Sequence, residues 1–401
     1  PDAPEIIRQR VFVENDRDAL VRDEFDEKTA QLGINRDRIV YLDHHLTHAW
    51  SAFAFSPFDE SFVFTLDGRG DRKSGSVSFA DTQNGVQEND YLISAFDGLG
   101  FLYGQVTHHL GYTPHRHEGK VTGLAAHGDP EKTLPLFDRL VTFEDGSIRG
   151  RIGLYKPFYT HLQPALQDAF NEYSREDLAA GVQKHSETLI ARWVEAWMAK
   201  IDRPDVRNVC LAGGIFGNVR INQILGDLPG VDNVYIFPHM GDGGLPMGAV
   251  AYANFLNTGR AKYDMPTAYL GPEYSNAEIE QVLSRYRGRI DVELMNDKTN
   301  RIADDLRNDM VVGYFDNRME YGPRALGARS MMYHARDNSV NEWLNKRLSR
   351  TEFMPFAPVT PKEYAGDCYI GWREQDVCAH FMTKTYDCTE SFKKVHPAVA
   401  H

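Results

Sequence analysis

Cysteine is scarce in this 401-residue chain: Cys210, Cys368, Cys378 and Cys388 are all there are. The wide, even spacing of the last three does not suit a CxxC zinc knuckle, so reduced thiols and a cytoplasmic location are expected. No run of eighteen or more uncharged apolar residues occurs, and Pro1-Asp2-Ala3-Pro4-Glu5 is not a basic and then apolar leader. Neither membrane insertion nor export is therefore expected. Positive charge is also in deficit. A formal net charge of −13 speaks against a broad phosphate-backbone footprint, hence against a nucleic-acid partner, and an anionic substrate would need a local arginine cluster. No internal repeat of solenoid period is present. The chain starts without methionine and stops without a closing helix or strand pattern, as a fragment of a longer protein would.

What is present is the composition of a globular protein, 42% apolar and 25% charged, with length for two domains that each bury a core. Arg38-Ile39-Val40-Tyr41-Leu42 reads as a short buried strand delivering a histidine-bearing helix. Ser61 to Leu66 and Ser76 to Phe79 read as a hairpin around a glycine-rich turn. The stretch between Gly98 and Gly128 reads as a loop leading into a short helix of small residues. From Arg175 to Ile201, Leu178, Val182, Leu189, Ile190, Trp193, Val194 and Trp197 recur at helical spacing, which offers either a core or a homo-oligomer interface. Strand, glycine turn and helix then follow twice, after Leu211 and after Phe237. A linker near 265–275 precedes a second α/β unit: helix 278–286, strand 292–295, helix 301–307 and strand 310–315.

Four side chains far apart in the chain have the chemistry of a shared metal site. In Asp43-His44-His45-Leu46-Thr47-His48 the outer histidines are four apart, so on a helix both imidazoles point to one side. Asp67 closes a predicted strand, Asp242 lies in the glycine turn after another, and each is followed by glycine. A mixed nitrogen and oxygen set suits iron, manganese or zinc better than calcium or magnesium. The turns at Gly68, at Gly213-Gly214 and at Gly241 lie where strands end, and the latter two open helices, whose free N–H groups and dipole favour an anion such as nucleotide phosphate. The most specific string is Arg318-Met319-Glu320-Tyr321-Gly322-Pro323-Arg324-Ala325-Leu326-Gly327-Ala328-Arg329-Ser330. Three guanidinium forks in thirteen residues match phosphate or carboxylate oxygens. Lys346, Arg347 and Arg350 add further donors downstream.

In order, HHLTHA from His44, the strand ending in Asp67-Gly68, HEGKVTGLAAHG from His117, LAGGIFGNVRIN from Leu211, GDGGLPMGA from Gly241, RMEYGPRALGARS from Arg318 and FMPFAP from Phe353 resemble the O-carbamoyltransferase family. The resemblance implies an α/β fold: an actin-like ATPase (Kae1-like) domain over 1–270, its first strands missing, and a partial YrdC-like domain over 271–401. It implies Fe2+ (Mn or Zn as substitutes) on His44, His48, Asp67 and Asp242, with ATP and Mg2+ as further cofactors. Gly68, Gly213, Gly214, Asn218, Gly241 and Arg350 would line the nucleotide site; Arg324, which resembles the family's carbamoyl phosphate arginine, would act with Lys120 and Arg318. The implied reaction makes carbamoyl adenylate from carbamoyl phosphate and ATP and passes the carbamoyl group to a hydroxyl of a sugar or natural product. Related alternatives are a Kae1-type enzyme of tRNA threonylcarbamoylation, which the acidic charge disfavours, and a nucleotide-binding scaffold that has lost its chemistry. Met354 stands where many relatives carry arginine, with Arg347 or Arg350 as replacements. Because the motifs cover the family's middle, the full protein is expected to be longer and this chain inactive alone.

Overall fold

A computed structural model describes residues 20–151, 155–157, 162–348 and 356–400. Its centre is a five-stranded sheet of order β3-β2-β1-β6-β7. Strands β1 (Glu60–Gly70), β2 (Lys73–Asp81) and β3 (Gly85–Ser94) form an antiparallel meander, and β6 (Asn208–Ala212) and β7 (Asn233–Ile236) run parallel to β1. The remaining pair before β6, β4 (Val141–Glu144) and β5 (Ser147–Gly150), is a separate hairpin. The α/β class expected from the sequence is the one the chain adopts.

Strand periodicity explains the layers. Successive side chains alternate faces, so Phe62, Phe64 and Leu66 of β1, Val209 and Leu211 of β6, and Val234 and Ile236 of β7 share one core, with Val63, Cys210, Ala212 and Tyr235 in the other. Covering the first face are helices α3 (Leu99–His109), α4 (Glu118–Ala125) and α7 (Arg175–Lys200), with the shorter α5 (Leu134–Phe137) and α6 (Pro164–Asn171) beside them. The long α7 sends Leu178, Val182, Ile190, Trp193 and Val194 into this core, and Trp193 meets Phe64 edge to face at 5.2 Å. It is a core helix. Helix α8 (Val219–Gly226) links β6 to β7, while α2 (His44–Ala54) and α9 (Leu245–Thr258) cover the second face. Residues 20–31 form α1.

Two predicted strands are not found. Residues 36–38 form a single turn of 3-10 helix and 39–43 have no regular structure, with Val40 and Tyr41 largely exposed. The apolar run there is short and bracketed by charge, and no described strand pairs with it. Residues 292–295 also lack strand structure; Leu294 is 93% exposed. The helices on either side are α10 (Asn276–Ser284) and α11 (Lys298–Arg307), after which β8 (Val312–Phe315) pairs with β9 (Arg329–Met332). The arginine-rich string is thus the β8–β9 connection. Further on, the chain returns to the main sheet: the Cys378 thiol donates to the Val234 carbonyl at 3.0 Å, Asn222 Nδ2 donates to the Thr383 carbonyl, and Lys384 and Asp376 form a buried ion pair at 2.7 Å. All four cysteines are free thiols. Among the described residues no helix is long and apolar enough to cross a membrane.

Helices α2 and α9 touch backbone to backbone at Gly248, where an added Cβ would sit 1.8 Å from the Thr47 carbonyl oxygen. Gly248→Ala is therefore expected to push the helices apart at a cost of about 1–3 kcal/mol, read as a lower urea midpoint with an unchanged slope.

Candidate metal centre

The first turn of α2 is fixed by Asp43, whose carboxylate accepts from the Leu46 amide at 3.0 Å as an N-cap and pairs with Lys73 Nζ at 2.8 Å. Asp71 adds a bond from the His44 amide at 2.8 Å. With the helix start anchored, the i, i+4 spacing sets the His44 and His48 rings edge to face at 4.7 Å and brings their Nε2 atoms to 3.1 Å. The register of β1 against β2 shifts between Leu66 and Gly70, and such a bulge frees a side chain from the ladder. There Asp67 Oδ2 reaches His48 Nε2 at 3.2 Å and His44 Nε2 at 3.6 Å. Asp242, in the turn between β7 and α9, places Oδ1 3.6 Å from His44 Nε2 and 3.7 Å from His48 Nε2. One donor atom from each of the four residues lies within 4.8 Å of all the others.

Burial is graded across the cluster. His48 is fully buried, His44 and Asp67 are partly covered, and Asp242 is 73% exposed in its side chain, so it forms the open side. Burial pushes the Asp67 carboxyl up, but hydrogen bonds from His44 and His48 outweigh it and hold the group well below the usual carboxylate range. For His48, burial opposes the charged form, and Asp242 and Asp67 overcome it to raise the imidazole. His45 behaves differently. Burial, then His48 and His44, lower it to about 4, and its ring contacts Thr65 Oγ1 at 2.8 Å and the Lys73 carbonyl at 3.2 Å. It is a neutral core histidine, whereas the outer pair turns its Nε2 atoms towards two carboxylates. Two imidazoles and two carboxylates converging on one point are a donor set that fits a transition-metal ion.

The predicted glycine turns adjoin this cluster. Gly68 donates its amide to Asp67 Oδ1 at 2.7 Å, and Gly214 lies so close that an added Cβ would be 3.0 Å from the same oxygen. Gly213, at φ +109°, has the backbone conformation glycine favours, and its amide donates to the Met240 carbonyl at 2.6 Å, joining the turn after β6 to the one holding Gly241 and Asp242. Asn218 caps α8 at the Ile221 amide and exchanges bonds with Gln183 and Thr122. Lys120 is half-buried on α4, its Nζ 5.7 Å from the Tyr112 ring centre.

The arginines separate. Arg324 enters the region: its Nη2 donates to the Gly217 carbonyl at 2.6 Å, its Nε is buried with no partner, and no carboxylate pairs with it among the described residues. Burial lowers its pKa. Arg318 instead points to the surface and pairs with Glu273 at 3.2 Å, because that exposed carboxylate is its nearest counter-charge. The structure therefore does not join Arg318 to Arg324 in one oxyanion pocket. Arg350, Met354 and the proline-flanked start of that motif lie outside the described residues. Asp71, in the glycine-rich turn after β1, and Glu320 and Tyr321, inside the arginine-rich string, are functional candidates that no spacing rule singled out. Tyr321 donates its hydroxyl to the Gly243 carbonyl at 2.7 Å, one residue from Asp242.

Comparison with known proteins gives two family matches in order: "Carbamoyltransferase N-terminus" over residues 7–251 and "Carbamoyltransferase C-terminus" over residues 303–401. The chain is 29% identical over 348 residues to nodulation protein NolNO of Sinorhizobium fredii, covering 84% of this chain and 49% of that protein. Nodulation protein NolO of Bradyrhizobium diazoefficiens is also 29% identical, with 82% and 60% covered, and an uncharacterised protein of Methanocaldococcus jannaschii is 30% identical, with 82% and 57% covered. The chain thus spans about half to three-fifths of these relatives. Full-length HypF in its phosphate- and nucleotide-bound form aligns over 56% of this chain and 37% of its own at 14% identity, with a TM-score of 0.32.

A ligand that binds only the folded state stabilises it by about 2.7 kcal/mol at 100 times its Kd. Anaerobic titration with Fe2+, Mn2+ or Zn2+ is expected to raise Tm by several degrees in the native chain and not in His48→Ala. His45→Ala is expected to lower the starting Tm while keeping the response to metal.

Proposed function

The chain belongs to the carbamoyltransferase family, and from that premise we propose that it is the metal- and nucleotide-binding part of an ATP-dependent O-carbamoyltransferase. In this reading carbamoyl phosphate is first hydrolysed to carbamate and inorganic phosphate, the carbamate oxygen attacks the α-phosphorus of ATP to give carbamoyl adenylate and pyrophosphate, and an alcohol oxygen of a sugar or natural product then attacks the carbamoyl carbon, releasing AMP. The supporting observation is the meeting of a four-donor cluster and an unpaired guanidinium at one glycine turn: Gly214 lies against Asp67, and Gly217 accepts from Arg324.

His44, His48, Asp67 and Asp242 would hold the cation, preferably iron, with manganese or zinc as substitutes. When bound it would act as a Lewis acid towards an oxygen of the nucleotide or of the carbamoyl group. The protein's own groups account for the rest. Asp43 and Asp71 fix the start of the histidine helix, so the imidazoles are aligned before any ligand arrives. Gly213, Gly214 and Asn218, with Gly68 and Gly241, would form the nucleotide wall, where a bulky side chain would fill the space the phosphates need. Arg324 would balance the negative charge of carbamoyl phosphate; its burial strengthens that attraction, since a charge removed from water is weakly screened. Lys120 would serve the same anionic region, and Mg2+ would accompany ATP.

The test uses the longer protein with carbamoyl phosphate, ATP and a panel of sugar and natural-product alcohols. AMP and pyrophosphate should appear in step with carbamoylated acceptor, and Arg324→Ala should raise KM for carbamoyl phosphate about 10- to 100-fold, as loss of a charge-assisted contact does. No AMP or pyrophosphate with any acceptor would defeat the proposal.

A further inference from the structure

Glu320 has no place in that chemistry, yet it is one of the few buried carboxylates among the described residues, 8% exposed. A single oxygen, Oε1, accepts three backbone amides: Leu326 at 2.9 Å, Ala328 at 2.8 Å and Arg329 at 3.2 Å. Burial pushes the Glu320 carboxyl up, but its own amide and these three outweigh it and hold the group below its usual value. No arginine or lysine pairs with it among the described residues. The nearby Arg329 guanidinium is occupied, donating to the carbonyls of Asp316, Ala328 and Asn317 and lying 3.5 Å from the Phe315 ring centre. The charge of Glu320 therefore faces backbone dipoles, as a phosphate does in an anion nest.

The consequence is geometric. The loop between β8 and β9 wraps around this carboxylate, and two of its contacts reach the glycine turns beside the cluster: Tyr321 Oη on the Gly243 carbonyl and Arg324 Nη2 on the Gly217 carbonyl. Arg324 lies between Glu320 and the three amides that Glu320 binds. We propose that Glu320 is the positioning residue of this site, folding the 320–329 loop so that the Arg324 guanidinium is aimed at an anionic phosphate or carboxyl group. The inference rests on the reading of Arg324 as the anion-binding arginine. Glu320 is not the loop's only anchor, since Tyr269 Oη donates to the Leu326 carbonyl at 2.6 Å and the Gly327 amide donates to Ser330 Oγ at 3.1 Å. Removing it loosens the aim of the arginine without releasing the loop.

The experiment is calorimetric titration of inorganic phosphate and of carbamoyl phosphate into the 401-residue chain, with metal content and thermal melting recorded for each variant. Glu320→Ala should weaken both ligands about 10-fold or more, the scale of one or two lost polar contacts, with metal content unchanged. Glu320→Gln, whose amide oxygen can accept the same three N–H groups, should recover binding to within about 3-fold, the residual loss being that of a neutral for a charged acceptor. Should Glu320→Ala not fold, Glu320→Asp, one methylene too short to reach the amides, takes its place. Native-strength binding by the alanine or aspartate variant overturns the inference, as does a glutamine variant as weak as the alanine one. Undiminished binding by Arg324→Ala brings down the anion-binding reading itself. That failure is distinguishable, because the exchange protection of the Leu326, Ala328 and Arg329 amides would still depend on Glu320.

Discussion

The site exists because β1 lies beside β6 in one fixed register. Thr65 pairs with Ala212, so Asp67, just past the end of that pairing, faces the Gly213-Gly214 turn although well over a hundred residues separate them in the chain. A slip of one residue would exchange the faces of every side chain in the strand. Phe64 and Leu66 would leave one core and Val63 the other, and Asp67 would no longer point towards the histidine helix. Two-sided burial makes such a slip costly. The chemistry at the strand ends is thus specified by apolar residues that never touch it, with α2 and α9 on one face and α7 on the other.

Much of this was readable from the chain alone, for definite reasons. The HxxxH spacing, the Asp-Gly strand ends and the amphipathic run of α7 are local signals, and local signals survive translation into structure. Asp67 could be suspected because an acidic residue closes an apolar strand, whereas its approach to His44 depends on a bulge between Leu66 and Gly70 that no spacing rule announces. The strands expected at 38–42 and 292–295 failed because a short apolar run becomes a strand only with a partner to bond to, and partnership is a tertiary fact. Arg318 and Arg324 look equivalent in sequence. Only the fold shows one drawn to Glu273 at the surface and the other carried inward. Glu320 was hidden for the opposite reason: a lone acid among arginines suggests a surface ion pair, and its true partners are main-chain amides, which have no sequence signature.

Polar burial around the site follows one pattern. His48, Glu320 and Arg324 are each taken from water, and each removal is tolerable only because something answers the charge or the lone pair. For Glu320 the answer is the backbone. For His48 it is a pair of carboxylates. Arg324 receives only one carbonyl oxygen, which leaves it the least compensated of the three and, under the proposed function, the group that an incoming anion would answer.

The return of the C-terminal segment to β7 has a meaning beyond packing. β7 is an outermost strand of the sheet, and an open strand border invites another molecule to add itself there. The Cys378 thiol on the Val234 carbonyl and the Lys384–Asp376 pair behind it hold a non-strand segment over that border. At the opposite border the first half of β3 presents exposed hydrophilic residues such as Gln87 and Glu88, while Tyr91 further along donates to Ser147 Oγ of β5 at 2.7 Å. The two margins of one sheet are therefore guarded by different means, occlusion on one side and hydration on the other, and self-association would begin at the first if its cover were lifted.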